Sequence, residues 1–386
     1  MSHSPLQFDF QSSTPCAEEV VLAMEPFWKE FWGNPSSRNN RLGLKASAAV
    51  MLAREEIASL LGITSERIVF TSGATESNNL ALLGYARARA QELGRPGNII
   101  TLSTEHHAVL DPLRQLQVEG FSLTEISPEP DGIISIEKLV NALKIDTFLV
   151  SIMLANNEIG VIQPIKEISR VCKEYGVIFH TDAAQAIGYF PLNLKNYNLD
   201  LVSISGHKVY GPKGIGGLIA KSELSLHPLQ WGGGQEDALR PGTLPVPLVV
   251  GFAKAIQIAY RDFNSNNIKL QTLRNQLWKG LKDRFPDLIL NGSFEKRLPH
   301  NLNFTVPGVR GTRMHAELRS LIACSSGSAC SQGAPSHVLL ALGRTKSQAA
   351  ASFRLSLSRE TSAEDVKKVI SIFESSISNM RDNDYD

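Results

Sequence analysis

From about residue 45 to residue 255, strand-like and helix-like segments alternate, and this alternation restricts the fold more than any other feature. Ala46, Ala49, Val50, Ala53, Ile57 and Leu60 recur at helical spacing, and Gly62 follows them as a stop. Residues 67–71 then read as a strand, and a glycine turn leads into a helix over 75–93. Further β-like runs cover 99–103, 148–154, 177–181, 201–204 and 215–220, with helical stretches such as 164–175 between several of them. Parallel strands need crossover helices, and those helices cover the sheet. The expected fold class is therefore α/β, a mostly parallel sheet with helices on both faces.

After Thr243-Leu244-Pro245-Val246-Pro247 the pattern changes. Leu270, Leu273, Leu277 and Leu281 mark a long amphipathic helix. Ser362 and Asp365 form a capping signature ahead of Val366, Val369, Ile370, Phe373, Ile377 and Met380, which share one face. This predicts a large domain over 16–255 and a smaller α+β domain made of 1–15 and 256–386. The tail 381–386 is expected to fray.

A chain of 386 residues with 42% hydrophobic and 20% charged residues suits a soluble two-domain enzyme. A net charge of +1 gives no field to attract nucleic acid, and no apolar run is long enough for a membrane span. The opening Met1-Ser2-His3-Ser4-Pro5 is too polar for a secretory signal. The four cysteines, Cys16, Cys172, Cys324 and Cys330, form no Cys-x-x-Cys pair and no zinc spacing. So few cysteines fit a reducing compartment, and a cytoplasmic location is expected. Cys172, among Ile168, Val171 and Tyr175, reads as a buried small hydrophobe.

Five polar segments each follow a predicted strand: Thr71–Asn79, Thr104-Glu105-His106-His107, Asn156-Asn157-Glu158, Asp182-Ala183-Ala184-Gln185, and Ser205-Gly206-His207-Lys208 running on to Gly217. Each has an ordinary explanation alone: a common turn, a surface histidine, a helix cap, a solvated lysine. Together and in this order they point elsewhere, because ligands of open parallel sheets sit beyond the carboxyl ends of the strands. A lysine in a glycine-rich turn, preceded by an aspartate that ends a strand, suits pyridoxal phosphate chemistry. The lysine forms a Schiff base and the aspartate keeps the pyridine nitrogen protonated. Small residues at 71–75 let a phosphate approach a helix N-terminus.

On these motifs, with Gly33-Asn34-Pro35-Ser36-Ser37, Gly242-Thr243-Leu244-Pro245, Ser325–Cys330 and Phe353–Leu357, the chain resembles the cysteine desulfurases of the NifS/IscS type. These are class-V members of the aspartate aminotransferase-like fold type I of pyridoxal phosphate enzymes. The resemblance runs along nearly the whole chain. It implies that Lys208 holds the cofactor, Asp182 pairs with the pyridine nitrogen, Gln185 with the ring hydroxyl, and His106 stacks on the ring and moves protons. It implies that Ala74, Thr75, Ser205 and His207 bind the phosphate, with Thr243 reaching it from the second subunit of a homodimer. Asn157 would contact cofactor and substrate, and Arg354 would grip the substrate carboxylate, a role that suits a bidentate fork.

Within this resemblance Cys330 decides the activity. Its sequence Ser325-Ser326-Gly327-Ser328-Ala329-Cys330 matches the persulfide motif of the long-loop subgroup. The implied reaction converts L-cysteine to L-alanine and leaves sulfur on Cys330, for delivery to an acceptor protein such as an iron–sulfur scaffold. Rival readings are a cysteine or cystine C–S lyase, a selenocysteine lyase, an aminotransferase, and a non-catalytic subunit of the same fold. A lyase needs no nucleophilic cysteine, and a non-catalytic relative would be expected to lose Lys208, Asp182 or Cys330. One departure from the family pattern is Arg38-Asn39-Asn40, where a histidine is frequent.

Overall fold

The computed structural model describes residues 4–326 and 335–382. Seven strands form the central sheet, in the spatial order Ile68–Thr71, Gly216–Ala220, Leu201–Ser205, Ile178–Asp182, Thr147–Ser151, Asn98–Leu102 and Ser122–Ile126. Every neighbouring pair is parallel except the two made by Gly216–Ala220, which runs against both its neighbours. Most of these strands are buried on both faces, which explains why they read as continuous apolar runs rather than alternating ones.

Helix Arg41–Leu61 covers one face through Ala46, Val50, Ala53 and Ile57, and ends at Gly62 in the left-handed conformation (φ 69°). The helix expected over 75–93 differs from its prediction. It begins as Ala74–Asn79, widens to a π-helical turn at Leu80–Gly84, and resumes as Tyr85–Leu93. All five residues of the wide turn are buried. Gly84 O there accepts from His227 N–H at 3.0 Å, a tertiary bond that residue spacing does not reveal.

A second hydrophobic core is built mostly from residues after 262. Helix Phe263–Arg284 buries Leu270, Leu273, Leu277 and Leu281 against helix Ala363–Asp382 and a three-stranded antiparallel sheet of Ile289–Leu290, Asn301–Thr305 and Ser352–Ser356. The N-terminal strand Leu6–Gln7 pairs in parallel with Ile322–Ala323, and Phe8 joins this second core. Helix Val246–Arg261 runs through the expected break at 255/256. Its Ile256 and Ile258 pack in the first core, so the change of core comes at Asp262. The capping signature is present: Asp365 N–H bonds Ser362 Oγ at 3.1 Å and Ser362 N–H bonds Asp365 Oδ2 at 2.9 Å. Arg381 and Asp382, expected to fray, extend the last helix, and Arg381 pairs with Asp287. Among the described residues no helix is long and apolar enough to cross a membrane.

Candidate active site

The carboxyl ends of the parallel strands deliver their polar segments to one cavity of about 430 Å³. Ala74, Thr75, His106, Asn157, Asp182, Gln185, Ser205, His207 and Lys208 all line it. At one end, the turn Thr71–Ala74 presses closely on the neighbouring strand. A Cβ at Gly216 would lie 2.7 Å from Gly73 Cα, so only glycine lets these backbones meet. Glu76 reaches back to accept from Ser72 N–H at 2.6 Å and is paired with Arg240 at 3.0 Å.

Asp182 ends its strand with both oxygens engaged. Oδ1 accepts from Ala184 N–H at 2.9 Å and Oδ2 from Asn78 Nδ2 at 2.7 Å. His106 caps the helix His107–Val118, with Nδ1 accepting from Ala108 N–H at 3.0 Å. That bond leaves the proton on Nε2. Burial holds His106 below the usual histidine range, so the ring is neutral near pH 7. Burial together with the Lys208 and Lys213 charges pushes His207 down to about 4. Glu105 is wholly buried, and desolvation raises its carboxyl well above the usual range.

Lys208 sits in the single turn Gly206–Lys208, and its Nζ donates to Gln11 O and Ser12 O at 2.8 Å each. The segment Asp9–Thr14 thus forms part of the site, and nothing in its sequence marked it. Asn78 was inside a motif without a role, yet it holds Asp182. Its Oδ1 and that of Asn157 are buried without a protein partner.

Arg354 does not line this cavity. It is buried, with Nη1 donating to Asn157 O at 2.7 Å and Nη2 to Asp9 Oδ1 at 2.7 Å and Ser12 Oγ at 2.6 Å. Its Nε has no partner. Thr243 is exposed and also outside the cavity lining. Cys330 lies outside the described residues, and the residues on both flanks of its segment bond to Arg354, Glu158 and Glu105, which stand behind the cavity lining. Ser325 pairs with Arg354 through two backbone bonds of 3.1 and 2.8 Å. Ser336 donates to the buried Glu158, and His337 Nε2 meets Glu105 O at 2.9 Å. Cys324 is half-buried and its thiol is pushed up to about 12 by burial, which makes it a poor nucleophile.

The family model described as aminotransferase class-V matches residues 7–369. A cysteine desulfurase IscS from Ehrlichia chaffeensis is 43% identical over 383 residues, covering 98% of this chain and 92% of the relative. A solved structure titled NifS-like protein superposes with a TM-score of 0.90 at 34% identity, covering 97% of this chain and 99% of the other. Another, titled SspA in complex with cysteine, superposes with a TM-score of 0.79 at 36% identity and covers 92% of this chain and 99% of the other. The chain belongs to the class-V aminotransferase family and, within it, to the cysteine desulfurases of the NifS/IscS type.

Proposed function

We propose that this chain removes sulfur from L-cysteine and loads it onto Cys330, by the balanced reaction enzyme–SH + L-cysteine → enzyme–S–SH + L-alanine. The observation that carries the reading is the convergence of Lys208, Asp182, Gln185, His106 and the Ser72–Thr75 turn on one cavity. The donor set suits pyridoxal phosphate: an acidic strand end and a lysine line the same cavity, and a glycine-bounded turn opens at one end. Bound at Lys208, that cofactor supplies an electron sink for the Cα–H and C–S bonds of the substrate.

The residues divide the remaining work. Asp182, held by Asn78 and Ala184 N–H, would keep a proton on the ring nitrogen. Gln185 would contact the ring oxygen. Ala74, Thr75, Ser205 and His207 would hold the phosphate, together with Thr243 from a second copy of the chain. Neutral His106 presents its Nε2 proton to the substrate side. Once its amine is free, Lys208 would take the Cα proton and return protons to the carbon skeleton. Asn157 orients the substrate. Arg354 binds the carboxylate by giving up its Asp9 and Ser12 contacts. The Cys330 sulfur bonds to the substrate sulfur as the C–S bond breaks, and the persulfide passes to an acceptor such as an iron–sulfur scaffold protein.

A homodimer is supported by exposed Val21, Leu22, Trp28, Trp32, Leu44 and Met51 on and beside the first three helices, an apolar face out of place on a monomer. A reducing, cytoplasmic setting is supported by the low cysteine content. The deciding experiment is anaerobic incubation of the loaded protein with L-cysteine and a thiol reductant. Equimolar sulfide and alanine are expected. Sulfide with pyruvate and ammonia refutes the reading in favour of a lyase. Cys330→Ala is expected to abolish persulfide while retaining the cofactor's visible absorbance.

A further inference from the structure

The turn that carries Lys208 closes with an unusual cap. Gly211 N–H returns to Gly206 O at 3.0 Å, the outer bond of a Schellman motif around Lys208. Such a closure needs one residue in the left-handed conformation, and here it is Tyr210, at φ 62°. Glycine is usual at that position because it has no Cβ. For an aromatic residue the conformation is an outlier that its surroundings must enforce.

Two sets of contacts enforce it. The inner bond of a Schellman motif would run from Tyr210 N–H to His207 O. Thr14 stands in that gap instead. Its Oγ1 accepts from Tyr210 N–H at 2.8 Å and donates to His207 O at 2.9 Å, and its own N–H reaches the same carbonyl at 3.0 Å. The segment that presents Gln11 O and Ser12 O to Lys208 Nζ is thereby stitched to the lysine's own turn. On the other side, Tyr210 hydroxyl accepts from Arg359 N–H at 3.1 Å, and the Arg359 guanidinium lies 4.3 Å from the ring centroid. Arg359 follows the small-domain strand Ser352–Ser356 that carries Arg354.

We propose that Thr14 and Tyr210 are positioning residues for Lys208. Thr14 sets the turn from the N-terminal segment, and Tyr210 bears a left-handed backbone because its ring and hydroxyl lock the turn to Arg359 of the small domain. A glycine in place of Tyr210 would close the turn with less strain but would uncouple it from the element that carries Arg354.

The inference rests on the reading of Lys208 given above, and borohydride trapping separates the two. Reduction of the protein loaded with pyridoxal phosphate, followed by peptide mass spectrometry, reports whether Lys208 carries the cofactor. Thr14→Val deletes the bridging hydroxyl and Thr14→Ser keeps it. Tyr210→Gly relieves the backbone and removes the latch, and Tyr210→Phe keeps the ring. T14V and Y210G are expected to trap the cofactor at Lys208 as the parent does. The pH midpoint of the cofactor's visible absorbance should move by about half a unit or more, and kcat should fall about tenfold, as for a misplaced reacting group. T14S and Y210F should recover most of both effects. Midpoints and kcat like the parent's in T14V and Y210G would overturn the proposal, as would a T14V defect that T14S does not rescue. Trapping at a different lysine in the parent would overturn the reading of Lys208 itself. Should T14V not fold, the comparison of Y210G with Y210F decides the question in the same way.

Discussion

The proposed carboxylate role of Arg354 would make Asp9 a competitor of the substrate for one guanidinium, and Asp9→Asn tests this. Arg354 has five N–H donors; Nη1 gives one to Asn157 O, and Nη2 gives one each to Asp9 and Ser12. A bidentate carboxylate needs two adjacent donors, so it can use the free Nε only by displacing a contact on Nη2. Asp9 Oδ1 lies 2.7 Å from Nη2, with the arginine side chain 4% and the aspartate side chain 27% exposed. A hydrogen bond between charged groups contributes about 1.5–3 kcal/mol. Partial exposure and the amide oxygen that the asparagine variant retains reduce the difference to about 1 kcal/mol. Since about 1.4 kcal/mol is a factor of ten, KM for L-cysteine and the inhibition constant of L-alanine should both fall about fivefold in D9N. The alanine constant matters because it reports binding without chemistry. Steady-state rates of alanine formation, with thermal melts to exclude a loosened N-terminus, are sufficient. Constants that stay the same or rise would refute the reasoning, and would mean that Asp9 holds Arg354 in position for the substrate.

Further outcomes follow from burial and packing. His180 lies between Ser151 Oγ at 2.8 Å and Ser203 Oγ at 3.1 Å, and complete burial pushes it down to about 3. The unfolded chain binds a proton at this histidine below about pH 6.5 that the native chain refuses. This residue therefore removes about 2 kcal/mol of stability between pH 6.5 and 5, and guanidinium unfolding of His180→Gln should show a flatter acid slope by that amount. His207, pushed down to about 4, and His300, pushed down to about 3, act in the same direction and remain as internal controls. Burial pushes both the Cys172 and Cys324 thiols up to about 12, so iodoacetamide at pH 7.5 should leave both unmodified in the native protein and react once it is unfolded; rapid native labelling of either contradicts the site geometry. Leu277→Ala, at a fully buried position between the two long small-domain helices, should cost about 2–5 kcal/mol by equilibrium unfolding.

Much of the site was legible because its chemistry is local. Asp182, Lys208 and the Thr71–Asn79 turn each stand at the end of an apolar strand, and a parallel sheet brings such ends together whatever the loop details. Helix boundaries were less legible where tertiary contacts set them. The π-helical turn at Leu80–Gly84 follows a bond to His227, and helix Val246–Arg261 continues past the expected domain break because Ile256 and Ile258 still find partners in the first core. Periodicity reports which face is apolar, and is silent about which core receives it.

What the sequence by itself determined is therefore the run of elements, the doubly covered sheet and the residue types at the strand ends, since these depend on spacing within a few residues. What only the tertiary structure decided are the pairings across hundreds of positions: Gln11, Ser12 and Thr14 around Lys208, Asp9 on Arg354, Asn78 on Asp182, and Tyr210 against Arg359. Those contacts join segments with no local pattern in common. Their partners are chosen by the path of the folded backbone, which places an unremarkable N-terminal segment against the lysine turn and gives its bare carbonyls and one threonine hydroxyl a role that no motif records.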